Sequence, residues 1–251
     1  MRYFINLSYL GTSFHGWQCQ PNAISVQEVL EKALTTVLRS PIKITGAGRT
    51  DTGVHARLMV AHFDAEIPVK TFDNLVYLLN QYLKSDVVIL SIVPVIDEAH
   101  ARFDATLRTY EYHIVSKKDP FTRGLAYFFR EPLDIPLMNE AAELLMTFKD
   151  FQAFSKTNTD VKTYLCDISS ASWKPEGVGY VFTITANRFL RNMVRAIVGT
   201  LLDVGMHKIT SEELKMIVEI KERSKAGFSV PPHGLYLTDI QYPKNIYVNN
   251  G

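Results

Sequence analysis

Residues 3–10 set Tyr3, Ile5, Leu7 and Tyr9 on one side of the chain and Phe4, Asn6, Ser8 and Leu10 on the other, the period-two pattern of a half-buried strand. Fifteen residues later the period changes. From Ser25 the apolar side chains Val26, Val29, Leu30, Ala33, Leu34, Val37 and Leu38 recur at helical spacing, behind a capping-box pair of Ser25 and Glu28. A strand that feeds an amphipathic helix so early points to a mixed α and β chain.

The rest of the first hundred residues extends that order. Pro41 ends the helix, residues 42–45 read as a strand, and GAGRTDTG is a glycine-bearing polar loop before a strand through Val60, His62 and Asp64. The spacing then predicts a helix over 72–83 and a strand over 87–93, giving β-α-β-β-α-β, the order of a ferredoxin-like half. In the second half Tyr110, Tyr112 and Ile114 alternate along a strand, and a helix after Pro136 carries Ala141, Leu144, Leu145 and Phe148. Strands over 164–173 and 180–186 meet at the turn KPEGVG, Asn187 opens a long helix, another starts at Ser211, and a last strand lies near Leu235. We expect an α+β fold of two ferredoxin-like, RRM-like halves, domains 1–104 and 105–251, with a mixed, mainly antiparallel sheet and an active-site cleft between the halves.

Composition narrows the function classes. With 47% hydrophobic and 21% charged residues the chain has ample material for a core. A formal net charge of +1 means that any nucleic-acid surface is local. Cys19 and Cys166 are the only cysteines, too few for a disulfide framework, and fit a reducing compartment. No apolar run reaches bilayer length and the N-terminus lacks a signal-peptide pattern, so we expect a cytoplasmic protein without membrane contact. The seven histidines show no ligand spacing, so neither a metal nor an organic cofactor is expected.

The loop AGRTDTGVHA concentrates chemistry. It holds Arg49, Asp51 and His55 among glycines at 46, 48 and 53, a composition that lets backbone turn tightly and approach a substrate. A lone Asp in such a loop is by itself better read as a turn residue capping a backbone donor, so context must raise the case for chemistry.

That segment resembles the GRTDxGVHA signature of the tRNA pseudouridine synthase A family. Four further segments resemble the same family in order: SYLGTSFHGWQCQP its opening strand and loop, RTYEYHI its tyrosine strand, NRFLRNMVRAIVG its basic helix, and VPPHGLYL its closing strand. The resemblance spans essentially the whole chain and implies the pseudouridine synthase fold. By it Asp51 matches the catalytic aspartate, Tyr110 the active-site tyrosine, Arg195 the active-site arginine, Arg49 the basic residue beside the aspartate, and Leu235 an apolar pocket residue. It also implies a homodimer that isomerises uridine at positions 38, 39 and/or 40 of the tRNA anticodon stem-loop.

The residue types suit that reaction. Isomerising uridine breaks the bond from C1′ to N1, turns the uracil over and rejoins it through C5. An ionised carboxylate initiates this either as a nucleophile or by removing the 2′ proton, and the sequence leaves both routes open. A guanidinium such as that of Arg195 keeps a buried carboxylate charged. Tyr110 has a ring for stacking on uracil and a hydroxyl for the C5 proton.

Substrate contacts are expected from His55 and from the Asn187 helix, where Arg188, Arg191 and Arg195 fall within roughly a 60° arc. That basic face would track phosphates. Arg102, Arg108, Lys117, Lys118 and Arg123 form a second basic neighbourhood, and His15, Trp17 and Gln18 are candidates for the same groove. Phe154, Ser155 and Lys156 resemble a family loop near the RNA. Leu10, Leu58 and Met59 depart from the family's common residues, which withdraws any polar RNA contact at those three positions. Two other readings compete: an RNA-binding module, which needs no carboxylate at position 51, and a nucleoside or glycoside hydrolase, which pairs two carboxylates where this loop has one.

Overall fold

The computed structural model describes residues 1–66, 72–157 and 161–248. Two compact units emerge, Met1–Leu107 with Leu237–Gly251, and Arg108–Tyr236.

In the first unit, β1 (Arg2–Tyr9), α1 (Val26–Leu38), β2 (Thr45–Gly46), β3 (His55–Asp64), α2 (Phe72–Tyr82) and β4 (Val87–Val95) follow the expected order. The strands lie side by side as β4-β1-β3-β2, every pair antiparallel, which is the ferredoxin-like arrangement. Ser25 caps α1 by accepting the Glu28 N–H at 3.2 Å. Tyr3, Ile5 and Leu7 of β1 are buried, as are Leu30 and Leu34 of α1 and Leu75 and Leu79 of α2.

The strand expected over 42–45 shrinks to the two residues of β2. Side chains of α1 take its backbone donors: Ile42 N–H bonds to Thr35 Oγ1 at 3.0 Å and Ile44 N–H to Glu31 Oε1 at 3.2 Å. Glu31 also accepts Lys43 Nζ at 2.8 Å. A donor satisfied by a side chain has no need of a strand partner.

Residues 237–248 belong with the first unit, whereas the sequence grouped everything from 105 onward. Thr106 N–H bonds to the Gln241 carbonyl at 2.8 Å, Ile96 N–H to the Ile246 carbonyl at 2.9 Å, and Tyr242 Oη to the Ala101 carbonyl at 2.6 Å. The Tyr242 ring meets Phe4 edge-on at 4.9 Å, so Phe4 is buried on what alternation alone makes the polar side of β1.

The second unit carries β5 (Leu107–Val115), β6 (Tyr127–Phe128), α3 (Ile135–Leu145), β7 (Ile168–Glu176), β8 (Gly179–Ala186), α4 (Met193–Gly205) and α5 (Ser211–Ile220); β9 (Leu235–Gln241) starts here and ends in the first unit. β7 and β8 form the expected hairpin, although β7 starts four residues later than the pattern suggests; β8 pairs antiparallel with β5, and β6 lies parallel to β5. The fold is α+β with mainly antiparallel pairing.

The long helix expected from Asn187 begins instead at Met193. Asn187 is held by Asp167, whose N–H donates to Asn187 Oδ1 at 2.8 Å, while Asn187 N–H donates to the Asp167 carbonyl at 3.1 Å. Asn192, at φ 69°, then turns the chain through the left-handed region into the helix. Arg188 and Arg191 therefore precede α4, and no helical arc joins them to Arg195.

Candidate active site

Within the first unit, the loop carrying Asp51 is held on both sides of that residue. Thr50 Oγ1 lies 2.8 Å from the buried Tyr9 hydroxyl, and the Thr50 carbonyl accepts the Trp17 N–H at 3.2 Å. The Asp51 carbonyl accepts the Val54 N–H at 3.1 Å. Close packing depends on two glycines. Gly16 has φ +88°, and a Cβ there would stand 2.5 Å from the Thr50 carbonyl oxygen; a Cβ on Gly46 would meet the Trp17 indole at 2.4 Å. Gly48, by contrast, has open space where its Cβ would be. Asp51 itself is half-buried, with Thr52 and Arg49 exposed beside it.

His55 and Trp17 serve the loop's architecture. His55 is fully buried, and its Nδ1 accepts the Gly11 N–H at 2.9 Å, tying the opening segment to β3. Trp17 is 3% exposed, against Tyr9 at 6.2 Å and beneath Gly46. Of the three groove candidates from that segment, His15 and Gln18 are exposed. Sequence reading passed over Tyr9, Gly11 and Gly16, although the two glycines inside SYLGTSFHGW were the available signal of close backbone contact.

The second unit gathers Arg195, Leu235 and strand β5. Arg195, in the first turn of α4, donates from Nε to the Val230 carbonyl at 2.7 Å and accepts the Val230 N–H on its own carbonyl at 3.2 Å. The adjoining Pro231 carbonyl accepts the Tyr112 hydroxyl at 2.9 Å. Burial pushes the Tyr112 hydroxyl pKa far up; Tyr127 adds to that rise and the Arg195 charge opposes it. Tyr112 is therefore a neutral donor, fixing residues 230–231 across β5. Leu235, buried, follows the turn Pro232–Gly234.

Tyr110 sits two residues before Tyr112 on β5, half-buried, with Phe189 edge-on at 5.1 Å. Arg108, on the same side of the strand, donates to the Asn187 carbonyl at 2.8 Å. The segment 226–230 has its own supports, which sequence reading missed. Arg223 Nη1 donates to the Gly227 carbonyl at 3.0 Å, Arg223 Nη2 to Ser229 Oγ at 2.8 Å, and Asn192 Nδ2 to the same Oγ at 2.7 Å.

Of the remaining candidates, Arg191 is exposed and its carbonyl accepts the Lys156 N–H at 3.0 Å, while Arg188 is half-buried. Phe154 and Ser155 are buried and Lys156 exposed. Of the three departures from the family's residues, Leu10 is 41% exposed and Met59 fully buried, with Leu58 between. No helix among the described residues is long and apolar enough to cross a membrane.

Comparison with known proteins gives one family. The profile of the tRNA pseudouridine synthase family matches residues 6–104 and 141–243. A tRNA pseudouridine synthase A of Parabacteroides distasonis is 53% identical over 98% of this chain and 98% of its own. Proteins of the same name from Bacteroides fragilis and Bacillus subtilis are 52% and 39% identical, covering 98% and 96% of this chain and 98% and 99% of their own.

Proposed function

The chain belongs to the tRNA pseudouridine synthase family, and on that premise we propose that it isomerises uridine to pseudouridine at positions 38, 39 and/or 40 of the tRNA anticodon stem-loop, with Asp51 as the catalytic carboxylate. Membership carries the enzyme class and the pseudouridine synthase fold. The observation that carries the assignment of Asp51 is local: it is the only carboxylate of a loop pinned at Thr50 and Val54, half-buried with Arg49 and Thr52 exposed beside it.

The reaction conserves every atom. The C1′–N1 bond breaks, a C1′–C5 bond forms, the C5 proton leaves and N1 gains one. Asp51 starts it by attack on the nucleoside or by removal of the 2′ proton. Tyr110 has a ring for the uracil and a hydroxyl suited to receive the C5 proton. Arg195 supplies the positive charge that the ionised carboxylate and a departing uracil anion both favour, and Arg49 a cation beside Asp51. Leu235 offers apolar surface, while Arg188 and Arg191 are assigned to phosphate contact. The burial of His55 fits a positioning task, holding Gly11 against the loop, better than substrate contact. None of these steps calls for a metal or an organic cofactor. A homodimer working in the cytoplasm completes the proposal, since two copies double the local basic surface of a chain whose net charge is only +1.

The test is Asp51→Asn, assayed in single turnover on tRNA transcripts with chemical mapping of pseudouridine. Product formation should vanish while tRNA binding changes little. Undiminished product would remove Asp51 from the chemistry, and product outside positions 38–40 would redirect the substrate assignment.

A further inference from the structure

Between β5 and β6 the chain presents an aromatic ring that the fold does not use. Phe121 is 87% exposed, more than any other large apolar side chain among the described residues. Its backbone is nonetheless fixed. Asp119 Oδ1 accepts the Phe121 N–H at 2.9 Å, the Asp119 carbonyl accepts Thr122 Oγ1 at 3.0 Å, and the Thr122 carbonyl accepts the Leu125 N–H at 2.9 Å. Tyr236 Oη ties the end of the turn down through the Leu125 carbonyl at 2.7 Å. The ring is thus held out on a rigid support, and little backbone entropy remains to be lost when something covers it.

The segment that carries it is mainly basic. Residues 115–130 hold Lys117, Lys118, Arg123 and Arg130 against one carboxylate, Asp119, whose Oδ1 is engaged in capping the turn. All four cations are exposed, and among the described residues none is in an ion pair. In a chain of net charge +1 this is a marked local excess. Phe103 is the instructive contrast. It is 73% exposed, but His100 lies 4.3 Å from its ring at 33° and the Arg102 guanidinium 5.6 Å over it. Phe121 has no ring or cation partner among the described residues.

Resting on the reading of the chain as a tRNA-modifying enzyme, we infer that the Phe121 turn is an RNA contact: the ring stacks on an unpaired base of the substrate, and Lys117, Lys118 and Arg123 meet the flanking phosphates. Stacking on an aromatic side chain tolerates any base, and structured RNA offers its unstacked bases to such surfaces. An exposed ring on a segment rich in exposed cations, one of which, Lys118, lies 5.7 Å over the Phe128 ring, favours a polyanion over a protein partner, whose docking face would be apolar at its centre and mixed in charge.

The experiment measures Kd for a tRNA transcript with the full chain and its variants, alongside pseudouridine formation by the wild type. Phe121→Ala should weaken binding about tenfold without moving the thermal midpoint, and Phe121→Trp should restore it. Replacing both Lys117 and Lys118 by Gln should reduce the slope of log Kd against log salt by about 1.5. Unchanged affinity in Phe121→Ala overturns the inference, as does a loss of affinity accompanied by a fall in oligomeric mass, which would make Phe121 a contact between protein copies. If the wild type makes pseudouridine while Phe121→Ala binds normally, only the turn's role is rejected. If the wild type makes none, the assigned reaction fails, and the binding data still judge the turn.

Discussion

Arg195 and Val230 hold each other twice, through the Arg195 Nε bond to the Val230 carbonyl at 2.7 Å and the Val230 N–H bond to the Arg195 carbonyl at 3.2 Å. One edge of the guanidinium is therefore fixed to backbone, and its direction is set before any substrate arrives.

Arg195→Lys tests that preorganisation. Lysine keeps the charge but has no Nε–H at this depth, so the fully buried Val230 loses a bond to its carbonyl at a cost of about 1 kcal/mol. The thermal midpoint should fall by a few degrees. The rate at saturating tRNA should fall at least about tenfold, because a flexible ammonium no longer holds one orientation. Retention of both would show that charge alone suffices at this position.

The Asp51 loop yields a second prediction through Tyr9 and Gly16, neither of which carries chemistry. Tyr9→Phe removes the hydroxyl 2.8 Å from Thr50 Oγ1 and should cost about 1 kcal/mol, and combining it with Thr50→Val should cost less than the sum of the two. Gly16→Ala should be worse, on the order of 2 kcal/mol or more, because φ +88° and a Cβ 2.5 Å from the Thr50 carbonyl oxygen are both unfavourable. Activity measured well below the unfolding temperature should fall further in Gly16→Ala than its stability loss explains. An alanine variant with wild-type kcat would show that the loop tolerates displacement.

Local patterns in the sequence carried most of this fold. The alternation in β1, the Ser25 cap and the KPEGVG hairpin each follow from residues close in the chain, and each appears in the structure. What failed was long-range competition for backbone bonds. Residues 42–44 alternate like a strand, but Glu31 and Thr35 had already claimed their donors. Asn187 reads as a helix cap until Asp167, twenty residues earlier, takes both its side chain and its backbone. At the proposed site, the reactive types in AGRTDTGVHA were visible by composition, whereas of the groups that immobilise the loop Gly16 left only the weak signal of a glycine and Tyr9 read as one more strand residue until the segments meet. The grouping of residues 237–248 with the first unit was equally hidden, because it rests on Tyr242 and Ile246 finding Ala101 and Ile96 across more than a hundred residues.

A third prediction concerns the strand at the end of the first unit's order. Asn80 of α2 reaches β4, where its Oδ1 accepts the Ile89 N–H at 2.7 Å and its Nδ2 donates to the Ile89 carbonyl at 2.9 Å. Val88 and Leu90 on either side are 40% and 50% exposed, so this stretch would otherwise offer unpaired backbone beside apolar side chains. Asn80→Ala should lower unfolding free energy by about 1–3 kcal/mol in urea titration, and should raise concentration-dependent light scattering. Unchanged scattering would mean that the edge needs no guard.

The last prediction is a pH dependence of stability centred on His62. Burial, then the neighbouring charges of His100 and Arg2, push its imidazole down to about 4 from the ordinary 6.5, against smaller opposing effects of Asp64 and Asp104. In the folded chain Nδ1 accepts the Ala101 N–H at 3.1 Å, and the His100 ring lies 4.6 Å away. A protonated ring would lose that acceptor. Between pH 6.5 and 4 the unfolded state therefore binds the proton and the folded state does not. Stability is fully present above about 6.5 and falls as pH drops toward 4, by up to roughly 3 kcal/mol. His62→Asn, which offers a side-chain acceptor without a titrating ring, should flatten this part of the curve relative to wild type when urea midpoints are compared at pH 7.5 and 4.5. Parallel curves for the two proteins would assign the acid sensitivity to other groups.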